Sequence, residues 1–164
     1  MKLKIEDLYQ YQKELDTRIF KLHKISREGS RRARILALLV ELAEMANETR
    51  CFKYWSLREP SEKAIILEEF GDGIHFLLSL GIDLNDNHTA IEADGSKPEN
   101  LIEAILSVFE KVNQLQVEFT QKQYLEAFSA YLTVAKQLGF TANEIRDYYL
   151  LKNQKNHDRL SSNY

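Results

Sequence analysis

Apolar residues recur at three- and four-residue intervals along nearly the whole chain, and long strand-like alternation is absent. This pattern predicts an all-α bundle of five or six helices. Helix one covers Ile5 to about Ser26, with Leu8, Leu15, Ile19 and Leu22 along one side. A polar stretch, SREGSRRAR, leads into helix two, about Arg32 to Glu48. Ser56 with Glu59 resembles a capping box and Pro60 suits a first turn. Helix three therefore runs from about Pro60 to Leu80 and stops at Gly81. The segment IDLNDNHTAIEADGSKPEN reads as a long surface loop. Helix four starts at a second capping-box pattern, Ser96 to Glu99 around Pro98, and reaches about Val117. Helix five spans about Gln121 to Leu138, with Gly139 as its C-terminal stop. Thr141 and Glu144 repeat the capping box for a last helix through about Asn156.

A chain of 164 residues reads as one domain, 1–164, able to bury about two-thirds of its unfolded surface. No repeat, low-complexity stretch or linker divides it. The net charge of −3, with basic residues dispersed, gives non-specific nucleic-acid binding no general support. The start lacks the apolar core of a signal peptide, and no run approaches membrane-span length. A soluble, cytoplasmic protein is the expectation. The single cysteine, Cys51, excludes an intramolecular disulfide.

Two pairs of acids interrupt otherwise apolar helices. Glu41 and Glu44 lie in ILALLVELAEMANETR, and Glu69 and Asp72 in AIILEEFGDGIHFLLSLG. Each pair is spaced i,i+3 and so shares one side of its helix. If the two helices face each other, four carboxylates converge, an arrangement tolerable only when cations offset the repulsion. Oxygen donors without Cys or an adjacent His suit Mg²⁺, with Mn²⁺ the alternative, rather than zinc.

On a wheel at about 100° per residue, Glu41, Glu44 and Glu48 form one narrow stripe. Ile35, Leu36, Leu38, Leu39, Val40, Leu42 and Ala43 cover the rest, so helix two is expected to be buried on several sides. Glu69 and Asp72 share a face with Ile65 and Phe76, while Glu68 and His75 sit on a more polar one. Glu69 is thus the expected ligand and Glu68 the solvated acid. Gly71 and Gly73 each cost about 1 kcal/mol of helix propensity, which close approach by a substrate or a neighbouring helix would explain. Spacing alone leaves open a metal site for phosphate chemistry and an ordinary solvated face. A di-iron bundle is disfavoured, because its Glu-x-x-His motif is missing.

ELAE followed by EFGD resembles the ExxE…ExxD signature of the all-α nucleoside triphosphate pyrophosphohydrolases, the MazG-like superfamily. Within that group the chain is most similar to the dimeric all-α dUTPases, including those of Gram-positive bacteria and their phages. Four blocks carry the similarity: YQKELDTRI, ELAEMANETRCFKYW, EEFGDGIHFLLSLG and YYLLKNQKNHDRLSSNY. The resemblance implies a homodimer that hydrolyses dUTP to dUMP and pyrophosphate, limiting uracil incorporation into DNA. It implies Mg²⁺ held by Glu41, Glu44, Glu69 and Asp72, and leaves dUDP open as a second substrate. Glu41 is favoured to take the proton of the attacking water, with Glu48 either assisting or solvated.

Uracil offers an acceptor, donor, acceptor edge. Gln12 and Asp16, spaced i,i+4, can meet that edge together, or else form a polar outer face. Trp55, the one tryptophan, lies in a short polar connection. It either stacks on the base, worth about 1–3 kcal/mol, or anchors the core edge. Lys152, Asn156 and Arg159 fall on one helical face with Tyr164 five residues later. They can hold the triphosphate or offset the helix dipole. Lys53 is a further phosphate candidate, and His75 and Cys51 are expected to be structural. Exposed apolar faces on helices four and five are the expected subunit interface. Two other readings stay open: the same chemistry on another nucleotide such as dCTP, and a non-enzymatic helical module that binds a regulator.

Overall fold

The computed structural model describes residues 1–162. The chain runs β1 (Lys2–Lys4), α1 (Glu6–His23), α2 (Arg27–Thr49), α3 (Lys63–Asp83), β2 (Ala90–Glu92), α4 (Leu101–Val117), α5 (Gln121–Gln137) and α6 (Ala142–Ser161). The all-α class stands, with six helices among the described residues. None of them is long and apolar enough to cross a membrane.

α3 is the element around which the others gather, because its sequence is apolar on most sides. Phe70, Ile74, Leu77, Leu78 and Leu80 are fully buried, and α1, α2, α5 and α6 all pack against it. The expected close approach at its glycines is made by neighbouring helices. A Cβ on Gly71 would lie 2.1 Å from the Tyr148 ring of α6, and one on Gly73 would lie 2.0 Å from the Tyr131 hydroxyl of α5. That hydroxyl donates to the Phe70 carbonyl at 2.9 Å.

Several boundaries differ from the sequence expectation, each for a local reason. Most of SREGSRRAR belongs to α2, which begins at Arg27 rather than Arg32: Ser26 caps it by accepting from Gly29 N, and the polar residues are used inside the structure. Ser56 and Glu59 form no capping box. The Ser56 hydroxyl instead accepts from Arg58 N and Arg50, and α3 begins at Lys63 rather than Pro60. Nor does Gly81 end α3, which continues to Asp83. Gly81 instead leaves room for the hydroxyls of Tyr124 and Tyr9. The segment 82–100 is not wholly loop, for β2 within it pairs antiparallel with β1, Leu3 opposite Ile91. Both residues are buried, so KLK is a strand too short to register as an alternating run. Ser96 turns to Asp94, and Asn100 caps α4. Thr141 and Glu144 do form their capping box, and α6 extends five residues beyond Asn156 to Ser161. Gly139 adopts φ +71° after α5, as a helix stop requires.

The arginines at the start of α2 clamp the end of α3. Asp83, fully buried at its side chain, accepts from Arg27 at 3.0 Å, Arg31 at 3.2 Å and Arg34 at 2.8 Å. Arg27 and Arg34 also lie over the Phe20 ring, and Arg31 over Phe119. Burial opposes ionisation of Asp83, but hydrogen bonds from Arg34, Arg27 and Arg31 outweigh it and hold the carboxyl below its usual range.

An acid with a depressed folded-state pKa contributes stability above its unfolded value, and loses it as pH falls through the folded value. Asp83→Asn should therefore lower stability at neutral pH by about 3–5 kcal/mol, since it strands buried guanidinium charge. It should also flatten the stability loss below about pH 4. Urea melts at pH 7 and pH 3 measure both effects. Gly73→Ala should cost about 1–3 kcal/mol through overpacking, and Tyr131→Phe should recover part of that loss in the double variant.

Candidate functional site

α2 and α3 are joined by the connection 50–62 and run antiparallel. The start of α2 meets Asp83, and its end meets Ser61, whose backbone N donates to the Glu48 carbonyl. This pairing sets the middle of α2 against the first half of α3. Glu41, Glu69 and Asp72 each turn a carboxylate oxygen inward, and these oxygens lie within 4.8 Å of one another. Of the four acids singled out by spacing, three converge. Glu44 is exposed at the rim, yet its charge still acts on both Glu41 and Glu69.

The cluster is electrostatically strained. Burial, followed by the charges of Asp72, Glu44 and Glu69, pushes the Glu41 carboxyl up to about 7. Glu69 is raised by burial and then by Glu44 and Asp72. Asp72 is raised by burial, although Lys152 works against the shift. Lys152 of α6 reaches Asp72 Oδ2 at 2.5 Å and Glu68 Oε1 at 3.7 Å. Tyr148, one turn earlier, donates to Asp72 Oδ1 at 3.4 Å. Glu68 itself is exposed, as expected. Glu48 is half-buried and accepts from the Ser61 hydroxyl. Oxygen donors at this spacing, raised in pKa by mutual repulsion, fit a hard divalent cation.

One turn beyond Asp72 the character of the site changes. Gln12 and Asp16, on the same side of α1 as Leu8 and Leu15, are buried rather than on an outer face. Gln12 Nε2 donates to Asp16 Oδ1 at 2.8 Å, and Gln12 Oε1 meets His75 Nδ1 at 2.9 Å and the Tyr149 hydroxyl at 3.0 Å. Asp16 Oδ2 accepts from Arg27 at 2.8 Å and from Ser79 at 2.6 Å. His75 is thus not on a polar face with Glu68; it is buried and stacked on Tyr149.

Trp55 lies elsewhere. It is 65 % exposed, in the connection before α3 begins, with Phe52 and Tyr54 edge-on to its ring. Gln12 and Asp16 meet α3 at His75 and Ser79, beyond the acids in the opposite direction.

Lys53 bonds Asn47 at the end of α2. Asn156 is half-buried and Arg159 exposed, on successive turns of α6 beyond Lys152. Tyr164 lies outside the described residues. Tyr148 is a contact that the acidic and basic motifs do not point to, although its i,i+4 spacing to Lys152 is a readable signal.

A family model described as dUTPase matches residues 4–164. No curated protein matches the sequence. A family match running over nearly the entire chain, on a fold that is helical throughout its core, assigns the chain: it belongs to the all-α dUTPases, enzymes that hydrolyse dUTP.

Proposed function

We propose that the chain, acting as one catalytic domain, is a Mg²⁺-dependent enzyme converting dUTP to dUMP and pyrophosphate. The observation that carries this reading is the convergence of Glu41, Glu69 and Asp72 within 4.8 Å in a member of the dUTPase family. These three acids would hold the metal, with Glu44 the fourth carboxylate at the rim. When bound, magnesium supplies Lewis acidity to the phosphate oxygens and acidifies water. Glu41 is assigned the proton of the attacking water. Lys152, already at Asp72, begins a polar face that continues through the Asn156 amide to the Arg159 cation along α6 and suits a phosphate chain. Tyr148 packs on Gly71 and Tyr131 on Gly73, on either side of Asp72.

Pyrophosphate release from dUTP, dCTP, dTTP and UTP with Mg²⁺ tests this reading. dUTP should be the preferred substrate. Glu41→Gln should lose at least ~10²-fold in rate and most of the Mg²⁺-induced rise in melting temperature. A wild-type protein that leaves dUTP intact ends the proposal, and turnover confined to dCTP would move it to the related nucleotide.

The working unit is proposed to be a homodimer. The sequence predicts α2 to be buried on several sides, but in the single chain Leu36 remains 62 % exposed and Val40 lies beside it. Leu106 of α4 is 55 % exposed, next to Ile102. Ile102 and Leu106 line an apolar groove between α4 and the end of α2, together with Ala43, Phe52 and Phe109. The available face is thus formed by α2 and α4 rather than α4 and α5, since α5 is largely buried. Sedimentation should find a dimer, and Leu36→Glu with Leu106→Glu should shift it to monomer.

A further inference from the structure

One polar atom deep beside the acids lacks a partner. His75 Nε2 is buried with no hydrogen bond among the described residues, and the residue as a whole is only 7 % exposed. Its ring stacks on Tyr149, with centroids 4.2 Å apart. His75 follows Asp72 by one turn of α3, and Tyr149 precedes Lys152 by one turn of α6. The ring therefore lies on the layer next to the Asp72–Lys152 pair.

The surrounding bonds decide which nitrogen carries the proton. Asp16 offers only acceptors to its neighbours, and it takes Arg27 and Ser79 on Oδ2. Its Oδ1 accepts from the amide nitrogen of Gln12, which turns the Gln12 oxygen toward Tyr149 and His75. An amide oxygen cannot donate, so the imidazole proton sits on Nδ1 and Nε2 is a bare lone pair. Burial, reinforced by nearby Lys152, lowers the His75 pKa to about 3 and keeps the ring neutral. A buried acceptor left empty is costly and calls for a donor.

We propose that His75 Nε2 accepts a hydrogen bond from the nucleoside of the bound substrate. The claim rests on the dUTPase reading and names a specificity contact inside that site. With its 5′ oxygen esterified, the deoxyuridine part of the nucleotide carries two hydrogen-bond donors, uracil N3–H and the 3′-hydroxyl, and either chemistry suits the lone pair. Gln12 and Asp16 then act as positioning residues: they set the tautomer and aim the ring.

The test crosses a deletion on the ligand with one on the protein. Binding of dUMP, N3-methyl-dUMP and 2′,3′-dideoxyuridine monophosphate is measured by calorimetry on wild type and His75→Phe. Phenylalanine keeps a ring on Tyr149 but has no lone pair. Wild type should bind one analogue at least ten-fold more weakly than dUMP, and His75→Phe should narrow that gap to under three-fold. A gap confined to the N3-methyl compound assigns the base, and one confined to the dideoxy compound assigns the sugar. Equal gaps in both proteins, or none in wild type, overturn the proposal and leave a buried water as the partner.

Should the variant fail to fold, ¹⁵N spectra of wild-type histidine decide the matter. The unprotonated Nε2 signal should move upfield with saturating dUMP, and a stationary signal overturns the proposal equally. Wild-type dUTP turnover reports on the activity separately. Turnover without coupling removes only the His75 contact.

Discussion

Three carboxylates held within 4.8 Å of one another repel, and the fold must supply the force that keeps them together. Burial and then the neighbouring acids raise the pKa of Glu41 and Glu69, and burial raises that of Asp72 against the pull of Lys152. The cation that opposes this from close range is Lys152, at Asp72. Such a site is poorly neutralised in the protein alone, and a divalent cation is the natural remedy. The proposed chemistry follows from that imbalance.

The frame that resists the repulsion is the antiparallel pair α2–α3. It is fastened at one end by Arg27, Arg31 and Arg34 on Asp83 and wedged along its length by tyrosines seated on glycines. The clamp and the acids are not separate features. From Asp83 a chain of polar contacts runs back along α3 through Ser79, Asp16, Gln12 and His75. His75 stands one turn short of Asp72.

The acids are legible in the sequence because i,i+3 carboxylates on an apolar helix are costly to bury without a neutralising partner. Lys152 is legible because it shares a helical face with Asn156 and Arg159. The start of α6 follows the sequence pattern, because Thr141 and Glu144 cap it reciprocally. Other boundaries depart from it, some of them where a long-range partner intervenes. Arg27, Arg31 and Arg34 look like a solvated linker until Asp83 is placed beside them, and Gly81 looks like a stop until Tyr9 and Tyr124 are seen to need its space. The spacing of Gln12 and Asp16 shows a shared face but not its surroundings, and their atoms are engaged with Arg27, Ser79 and His75. Trp55 stands out in the sequence as the lone tryptophan, yet it belongs to the far end of the hairpin.

Periodicity, caps and acid spacing are local properties, so the chain alone established a helical bundle, most of its helices and the candidate ligands. Which acids converge, which stays at the rim, and which histidine nitrogen is left bare depend on how α1, α2, α3 and α6 meet. Those relations arise between residues far apart in the chain, such as Asp16 with Ser79 and Lys152 with Asp72. No short-range pattern encodes them, because burial and charge pairing act only once the helices have packed.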